Sequence, residues 1–360
     1  MGMRVSKALI VLERGAPGDG WRSLDVRNRH LVAIANRPLI VHAIEGLERA
    51  GIEQVGIVAD EVTLAATQQA LATHPGRVRT TYIPRKHGAG TVACLLAARG
   101  FVDGEPVLVH TGDGVLGPRL GKLLDGFEEE PLDALVLLEP PDGRARRGVR
   151  AALDLVGRRT AADEVDRGEF SGLCVVGPIA VRAAEHAARG RGEASWTDFL
   201  VALEHLCASV EARPMDGWCR CRCDDGEASL LRATRVALDL LPAAPPSAGV
   251  SWPDVEVQGR ALIDPTASLT STTVRGPVVI GARSRISNAF LGPYTSIGED
   301  VVIEGTEIEN SIVHDGARVS HVPNRLEGSV LGRCANVSVD FELPRGLRLT
   351  LGEGAEVVFS

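Results

Sequence analysis

The chain has 360 residues, enough for two domains or one large one. With 44% hydrophobic and 24% charged residues it reads as an ordinary soluble globular protein, and its net charge of −8 argues against a nucleic-acid surface. Aromatic residues make up 4%, too few for base-stacking platforms, and no apolar run reaches membrane-spanning length.

The first apolar run, Lys7–Leu12, predicts a strand that needs its N-terminal flank, so the match of "MGMRVS" to a myristoylation pattern is one of letters only. Directly behind it stands "LERGAPGDGWRS" (12–23), a glycine-rich stretch where many α/β proteins hold a phosphate. Gly15, Gly18 and Gly20 let the backbone approach an anion and Arg22 supplies positive charge. Glu13 opposes an anion, and Pro17 lacks the N–H that would bind one. A helix is predicted over Pro38–Ala50, with Leu39, Ile40, Ala43, Ile44 and Leu47 on one face and Gly51 as its stop.

Further strands are expected at Gln54–Val58, Arg79–Ile83, Val107–His110 and Ala134–Leu138, with a second helix over Thr91–Arg99. This alternation predicts a mostly parallel sheet with helices on both faces. Ligands of such sheets sit at the carboxyl ends of strands, which singles out the loops after Leu12, Ile83 and His110. The last of these contains "TGDG" (111–114) and offers Asp113 just past a strand end.

The seven cysteines are scattered and follow no secretory signal, so they read as free thiols in a reducing cytoplasm. If "CRCRC" (219–223) is a strand, Cys219, Cys221 and Cys223 share one face, as thiols filling a half-buried surface rather than a closed metal site. Residues 241–254 are rich in Pro, Ala and Ser and read as a linker. Beyond it, apolar residues recur every five or six positions from Ile263 to Val337, many followed by Gly or Asp. This hexapeptide repeat predicts a parallel β-helix with three short strands per coil, in which Ile263, Ile280, Ile297, Val313 and Leu331 stack in one interior column.

An α/β domain followed by a hexapeptide rod resembles the sugar-1-phosphate nucleotidyltransferases, in particular the long form of glucose-1-phosphate thymidylyltransferase. The resemblance rests on "KALIV" (7–11), "HLVAIANRPLIVHAIEGLERAGIEQVGIV" (30–58), "GTVACLLA" (90–97), "EPVLVHTGDGVL" (105–116), "RGEASWTD" (191–198), "GW" (217–218) and the rod. It implies a Rossmann-like nucleotidyltransferase domain over 1–240, a linker over 241–254 and a left-handed parallel β-helix over 255–360. The family's reaction joins a nucleoside triphosphate to a sugar-1-phosphate and releases pyrophosphate, which depends on positioning and on neutralising phosphate charge.

Carried over residue by residue, the resemblance assigns catalytic charge to Arg29 and Arg22. It assigns nucleotide and phosphate contacts to Leu12, Gly15, Gly18, Gly20, Arg85, Gly88 and Gly90, and sugar contacts to Gly148, Ser171 and Gly172. Mg²⁺ falls to Asp113 with Asp224 or Asp225. The chain departs from the family pattern at several of these positions. Glu13 and Arg14 replace two leading glycines, Arg29 stands for the activating lysine, and Arg85 for a base-reading glutamine. Cys221 stands at the counted position of the second metal carboxylate, a poor partner for Mg²⁺. "GRRTAAD" (157–163) replaces the sugar-phosphate motif, leaving Arg158 or Arg159 as a charge there, while Asp198 reads as structural.

Two readings stand. One is a nucleotidyltransferase with a rebuilt pocket, tied to sugar-nucleotide or secondary-metabolite biosynthesis in a bacterium. The other is a non-catalytic relative that serves as a binding, regulatory or assembly partner, or one repurposed to a different ligand. Both imply small phosphorylated ligands, no nucleic acid, no membrane and a homo-oligomer built on the rod.

Overall fold

The computed structural model describes residues 4–12, 28–85, 91–139, 169–189, 194, 196–206, 208–215, 218–221, 226–242, 252, 254–339, 347–350 and 357. Of the residues assigned above, Gly15, Gly18, Gly20, Arg22, Gly88, Gly90, Gly148, Asp224 and Asp225 lie outside this set, as do Glu13, Pro17, Arg158, Arg159 and Cys223.

The chain opens with β1 (Lys7–Val11) and passes to a two-residue hairpin of β2 (Ala33–Ile34) and β3 (Arg37–Pro38). Helix α1 (Leu39–Arg49), β4 (Gln54–Ala59), α2 (Glu61–Ala72) and β5 (Arg79–Pro84) follow. Then come α3 (Thr91–Ala97), α4 (Arg99–Val102), β6 (Val107–His110), β7 (Gly114–Val115), α5 (Leu120–Glu129) and β8 (Ala134–Glu139). The series ends with β9 (Glu169–Val176), α6 (Ala180–Ala187), α7 (Trp196–His205), β10 (Val210–Pro214), β11 (Cys219–Arg220) and α8 (Glu227–Asp239). The five expected strands all form, while the second predicted helix divides into α3 and α4.

Seven of these strands make one sheet in the order β10-β8-β9-β6-β1-β4-β5. β1 runs parallel to β4 on one side and to β6 on the other, and only β9 runs against its neighbours β6 and β8. Ala8, Leu9, Ile10 and Val11 are all buried, as a central strand covered on both faces requires. One face packs Leu9, Val11, Val107 and Val109 against α3, α6 and α7. α1 ends as its sequence dictates: Gly51, at φ 89°, donates to the Glu48 carbonyl and Ile52 to the Leu47 carbonyl, a Schellman stop.

Residues 255–339 form a left-handed parallel β-helix of three sheets. The strand register pairs Ile263 with Ile280, Ile280 with Ile297, Ile297 with Val313 and Val313 with Leu331, the column the repeats predict. A second column runs Leu269, Ile286, Ile303, Val319, Val337, and a third Val257, Val274, Leu291, Ile308, Leu326. Most of these side chains are buried in one continuous core. The strand Leu347–Thr350 pairs antiparallel with Asn336–Val339 and so covers what would be an open sheet edge.

The molecule comprises two compact units, residues 1–14 with 39–220, and residues 15–38 with 221–360. The β2–β3 hairpin and α8 therefore belong with the rod. The hairpin turn holds Ala35 and Asn36 at φ 45° and 62°, a type I′ geometry in which asparagine is favoured. From this turn Asn36 Nδ2 donates to the Ile297 carbonyl at 2.5 Å, and its Oδ1 accepts from Ser296 Oγ at 3.0 Å. α8 is held by Arg235, whose Nε donates to Asn310 Oδ1 at 2.7 Å, and by the Arg260–Asp239 ion pair.

Candidate active site

The direction in which strands were added to the sheet fixes where to look. From β1 the chain builds outward to β4 and β5, then returns to place β6 on the other side of β1. A crevice forms at such a switch point, beyond the carboxyl ends of the two diverging strands, and it is where open α/β sheets bind ligands. Those ends are Leu12 and the turn Thr111–Asp113.

Five sequence-assigned residues stand along this edge. Leu12 continues β1, its N–H bonded to the Val58 carbonyl at 3.0 Å, and Arg85 continues β5, its N–H bonded to the Ala59 carbonyl at 2.9 Å. The two meet through Arg85 Nη2, which donates to the Leu12 carbonyl at 3.3 Å. Asp113 lies in the turn after β6. Ser171 and Gly172 lie on β9, which pairs antiparallel with β6, so that the Gly172 carbonyl accepts from the Thr111 N–H at 3.1 Å. Arg29 belongs to a short 3₁₀ turn, Arg29–Leu31, in the unit of the rod.

The surroundings of Asp113 decide what this edge can do. Its Oδ1 accepts from the Thr111 hydroxyl, and its Oδ2 accepts from Arg220 Nε at 2.8 Å. Arg220 reaches it from β11, which pairs antiparallel with β7 so that Arg220 lies opposite Gly114. The pair is largely shielded, the Arg220 and Asp113 side chains being 24% and 14% exposed. Gly172 makes room for it. Its φ is 84°, and a Cβ there would lie 2.4 Å from Thr111 Oγ1 and 3.4 Å from the Arg220 guanidinium carbon.

Beneath the turn, His110 is fully buried at the end of β6. Its Nδ1 accepts from the Gly112 N–H at 2.5 Å, which leaves the proton of the neutral ring on Nε2. The ring meets Trp218 edge-on at 5.3 Å. Burial drives the His110 pKa down to about 4, with Asp113 opposing the shift and Arg220 adding to it. His110 Nε2 and Trp218 Nε1 are buried without a hydrogen-bond partner among the described residues.

The assignments from the sequence did not include Thr111, His110 or Arg220. The signal for Arg220 was present in "CRCRC": alternation that puts the cysteines on one strand face puts the arginines on the other. Cys219 and Cys221 are indeed buried thiols, in no disulfide. Trp196 of "RGEASWTD" packs edge-on against Phe199 at 5.7 Å, a core role.

A family model described as nucleotidyl transferase matches residues 25–149. Over almost its whole length the chain is 31% identical to a glucose-1-phosphate thymidylyltransferase of Streptomyces griseus, with 98% of this chain and 99% of that protein covered. The chain belongs to the sugar-1-phosphate nucleotidyltransferase family. It is also 28% identical to a glucose-1-phosphate thymidylyltransferase of Streptomyces antibioticus (98% and 99% covered) and 28% identical to the low-salt glycan biosynthesis nucleotidyltransferase Agl11 of Haloferax volcanii (96% and 99% covered). A crystal structure from Bacillus anthracis, provisionally assigned as a glucose-1-phosphate thymidylyltransferase, shares the fold at a TM-score of 0.51 and 19% identity, over 65% of this chain and 96% of that one.

Sugar-1-phosphate nucleotidyltransferases act on a nucleoside triphosphate and a sugar phosphate, typically with a divalent metal. Mg²⁺ takes oxygen ligands only, usually one or two carboxylates completed by substrate phosphates and water. Among the described residues no group of three or more His, Cys, Asp or Glu is gathered to hold an ion. Asp113 has one oxygen on a hydroxyl and the other on a guanidinium. A cation brought to within about 4 Å of that guanidinium meets a repulsion of roughly 4 kcal/mol per unit charge at an effective dielectric constant of about 20. Of the carboxylates assigned to the metal, Asp113 alone lies among the described residues, and a cation there would compete with Arg220 and Thr111 for its two oxygens. Among the described residues no helix is long and apolar enough to cross a membrane.

Proposed function

We propose that this chain is a sugar-nucleotide pyrophosphorylase-like protein with a rebuilt active site. In this reading it holds a phosphorylated nucleotide or sugar at the carboxyl edge of its sheet, and the family's metal-assisted condensation has been lost. The Asp113–Arg220 ion pair carries the reading, because it sets a protein cation against the carboxylate that would otherwise serve the metal. Arg85 and Leu12, joined at the same edge, support a ligand site that has kept its place while changing its chemistry. Its setting, on this reading, is sugar-nucleotide or secondary-metabolite biosynthesis.

A second reading keeps catalysis, with Mg²⁺ shared by Asp113 and Asp224 or Asp225. The near full-length likeness to the Streptomyces thymidylyltransferases favours it. Pyrophosphate release separates the two. Purified protein supplied with Mg²⁺, glucose-1-phosphate and each common nucleoside triphosphate in turn should release no pyrophosphate above the protein-free background. Sustained release with any of them, accompanied by a sugar nucleotide, overturns the proposal in favour of the second reading.

A further inference from the structure

We infer that Arg220 is the resident cation of this crevice, so that a phosphorylated ligand binds there without a divalent metal and directly on the Arg220 guanidinium. The inference rests on the proposed ligand site and specifies its chemistry.

Arg220 comes from the short β11, whose pairing with β7 fixes its position against the Asp113 turn. Its Nε is committed to Asp113 Oδ2 at 2.8 Å, an orienting bond that holds the plane of the guanidinium. A guanidinium has five N–H donors in a rigid fork, so four remain, and the fork matches the spacing of phosphate oxygens. Thr111 steadies the other carboxylate oxygen, and Gly172 is kept free of a side chain where the three groups converge.

His110 Nε2 and Trp218 Nε1 are buried N–H groups with no partner among the described residues, and both belong to side chains packed around the same turn. His110 is held neutral by burial, so the fixed positive charge contributed by β6, β7 and β11 at this point is that of Arg220. Asp113 offsets much of the charge of Arg220, so recognition of an anion here rests on the four remaining N–H donors and their fixed fork rather than on net charge. The ligand chemistry is thus a phosphate or polyphosphate monoester, carried by a nucleotide or by a sugar.

The test measures affinity by calorimetry on the full chain, with thymidine triphosphate, uridine triphosphate, glucose-1-phosphate and inorganic phosphate as separate probes. Each is titrated once with Mg²⁺ and once with a chelator. At least one organic probe should bind with an affinity that changes less than about threefold between the two conditions. Arg220→Gln should weaken that probe about tenfold to a hundredfold, as expected for hydrogen bonds to a charged group. Arg220→Lys should recover part of the loss, and Asp113→Asn should still bind in chelator.

Failure of every organic probe in both conditions overturns the proposed ligand site and this inference together. Binding that requires Mg²⁺ and vanishes in Asp113→Asn overturns the inference alone and leaves the site. Binding of inorganic phosphate as tight as that of the organic probes also overturns it. Should Arg220→Gln fail to fold, the wild-type comparison of Mg²⁺ with chelator and the Arg220→Lys variant still decide.

Discussion

Thr111, Asp113, Gly172 and Arg220 meet around one carboxylate, and only one of them, Gly172, has a backbone that another residue could not readily adopt. Placing a methyl group at Gly172 puts it 2.4 Å from the Thr111 hydroxyl at a φ of 84°. Gly172→Ala should therefore cost about 2 kcal/mol or more, since both strain and a displaced hydroxyl are involved. Urea denaturation should show a lower midpoint with an unchanged slope, and an unshifted midpoint would contradict the crowding at Thr111. The coupling between Asp113 and Arg220 can be measured by a double-mutant cycle. For Asp113→Asn, Arg220→Gln and the pair, an interaction of about 1–3 kcal/mol is expected for a shielded, hydrogen-bonded ion pair. Coupling below about 0.3 kcal/mol would mean that the pair is not held in solution. At this scale the sequence named Asp113 and Gly172 but not their partner. Position on a strand end marks a carboxylate, whereas nothing local says which of 39 basic residues will reach it.

Among the elements, legibility follows periodicity. One interior column of the rod was readable residue by residue because every coil repeats one burial rule, and the central strands β1, β4, β6 and β8 were readable because they are largely apolar runs. β9 and β10 carry weaker marks. Gly172 interrupts the apolar run of β9, and β10 is a short edge strand, "VEARP", with polar residues and a proline. The columns also predict a gradient of cost. Ile297 is fully buried in mid-stack, whereas Leu331, at the far end of the same column from Ile263, is only partly buried. Ile297→Ala should destabilise the rod by about 2–5 kcal/mol and Leu331→Ala by distinctly less, because the cavity term grows with enclosure. Equal effects would contradict the strand register that stacks Ile297 between Ile280 and Val313. Asn36 ties the hairpin to the rod through two side-chain hydrogen bonds. Asn36→Ala removes both hydrogen bonds to the Ser296–Ile297 segment and puts alanine in the left-handed region. A loss of about 2 kcal/mol is expected, and a Gly variant should recover only the backbone part of it.

For the whole molecule, a chain-order reading could not reveal that residues 33–38 and α8 share a compact unit with the rod. Groups that tie them there, such as Asn36 and Arg235, are single polar residues far from their partners in sequence, and they leave no pattern. What both units do share is a buried neutral histidine. His314, in the rod, is pushed down to about 4 by burial, with Asp315 opposing the shift and Arg333 adding to it, and His110 is pushed down to about 4 in the other unit. A histidine with an ordinary pKa of about 6.5 when unfolded takes up its proton as the pH falls through that value, while the folded form stays neutral until about pH 4. Between these limits the unfolded chain binds more protons, so stability is full above about pH 6.5 and falls with pH down to about 4. Each site can remove up to about 3 kcal/mol over that window. Asp264, Asp300 and Glu130 have carboxyl pKa values held low by hydrogen bonds to Thr266, Arg283 and Arg213, so their contribution is lost only at more acid pH. Urea midpoints measured from pH 7.5 to 4.5 should therefore fall steadily in the wild type. His314→Gln, which cannot titrate, should flatten the transition that reports on the rod. A slope unchanged by that substitution would show that His314 is already solvated in the folded rod and not enclosed by its coils.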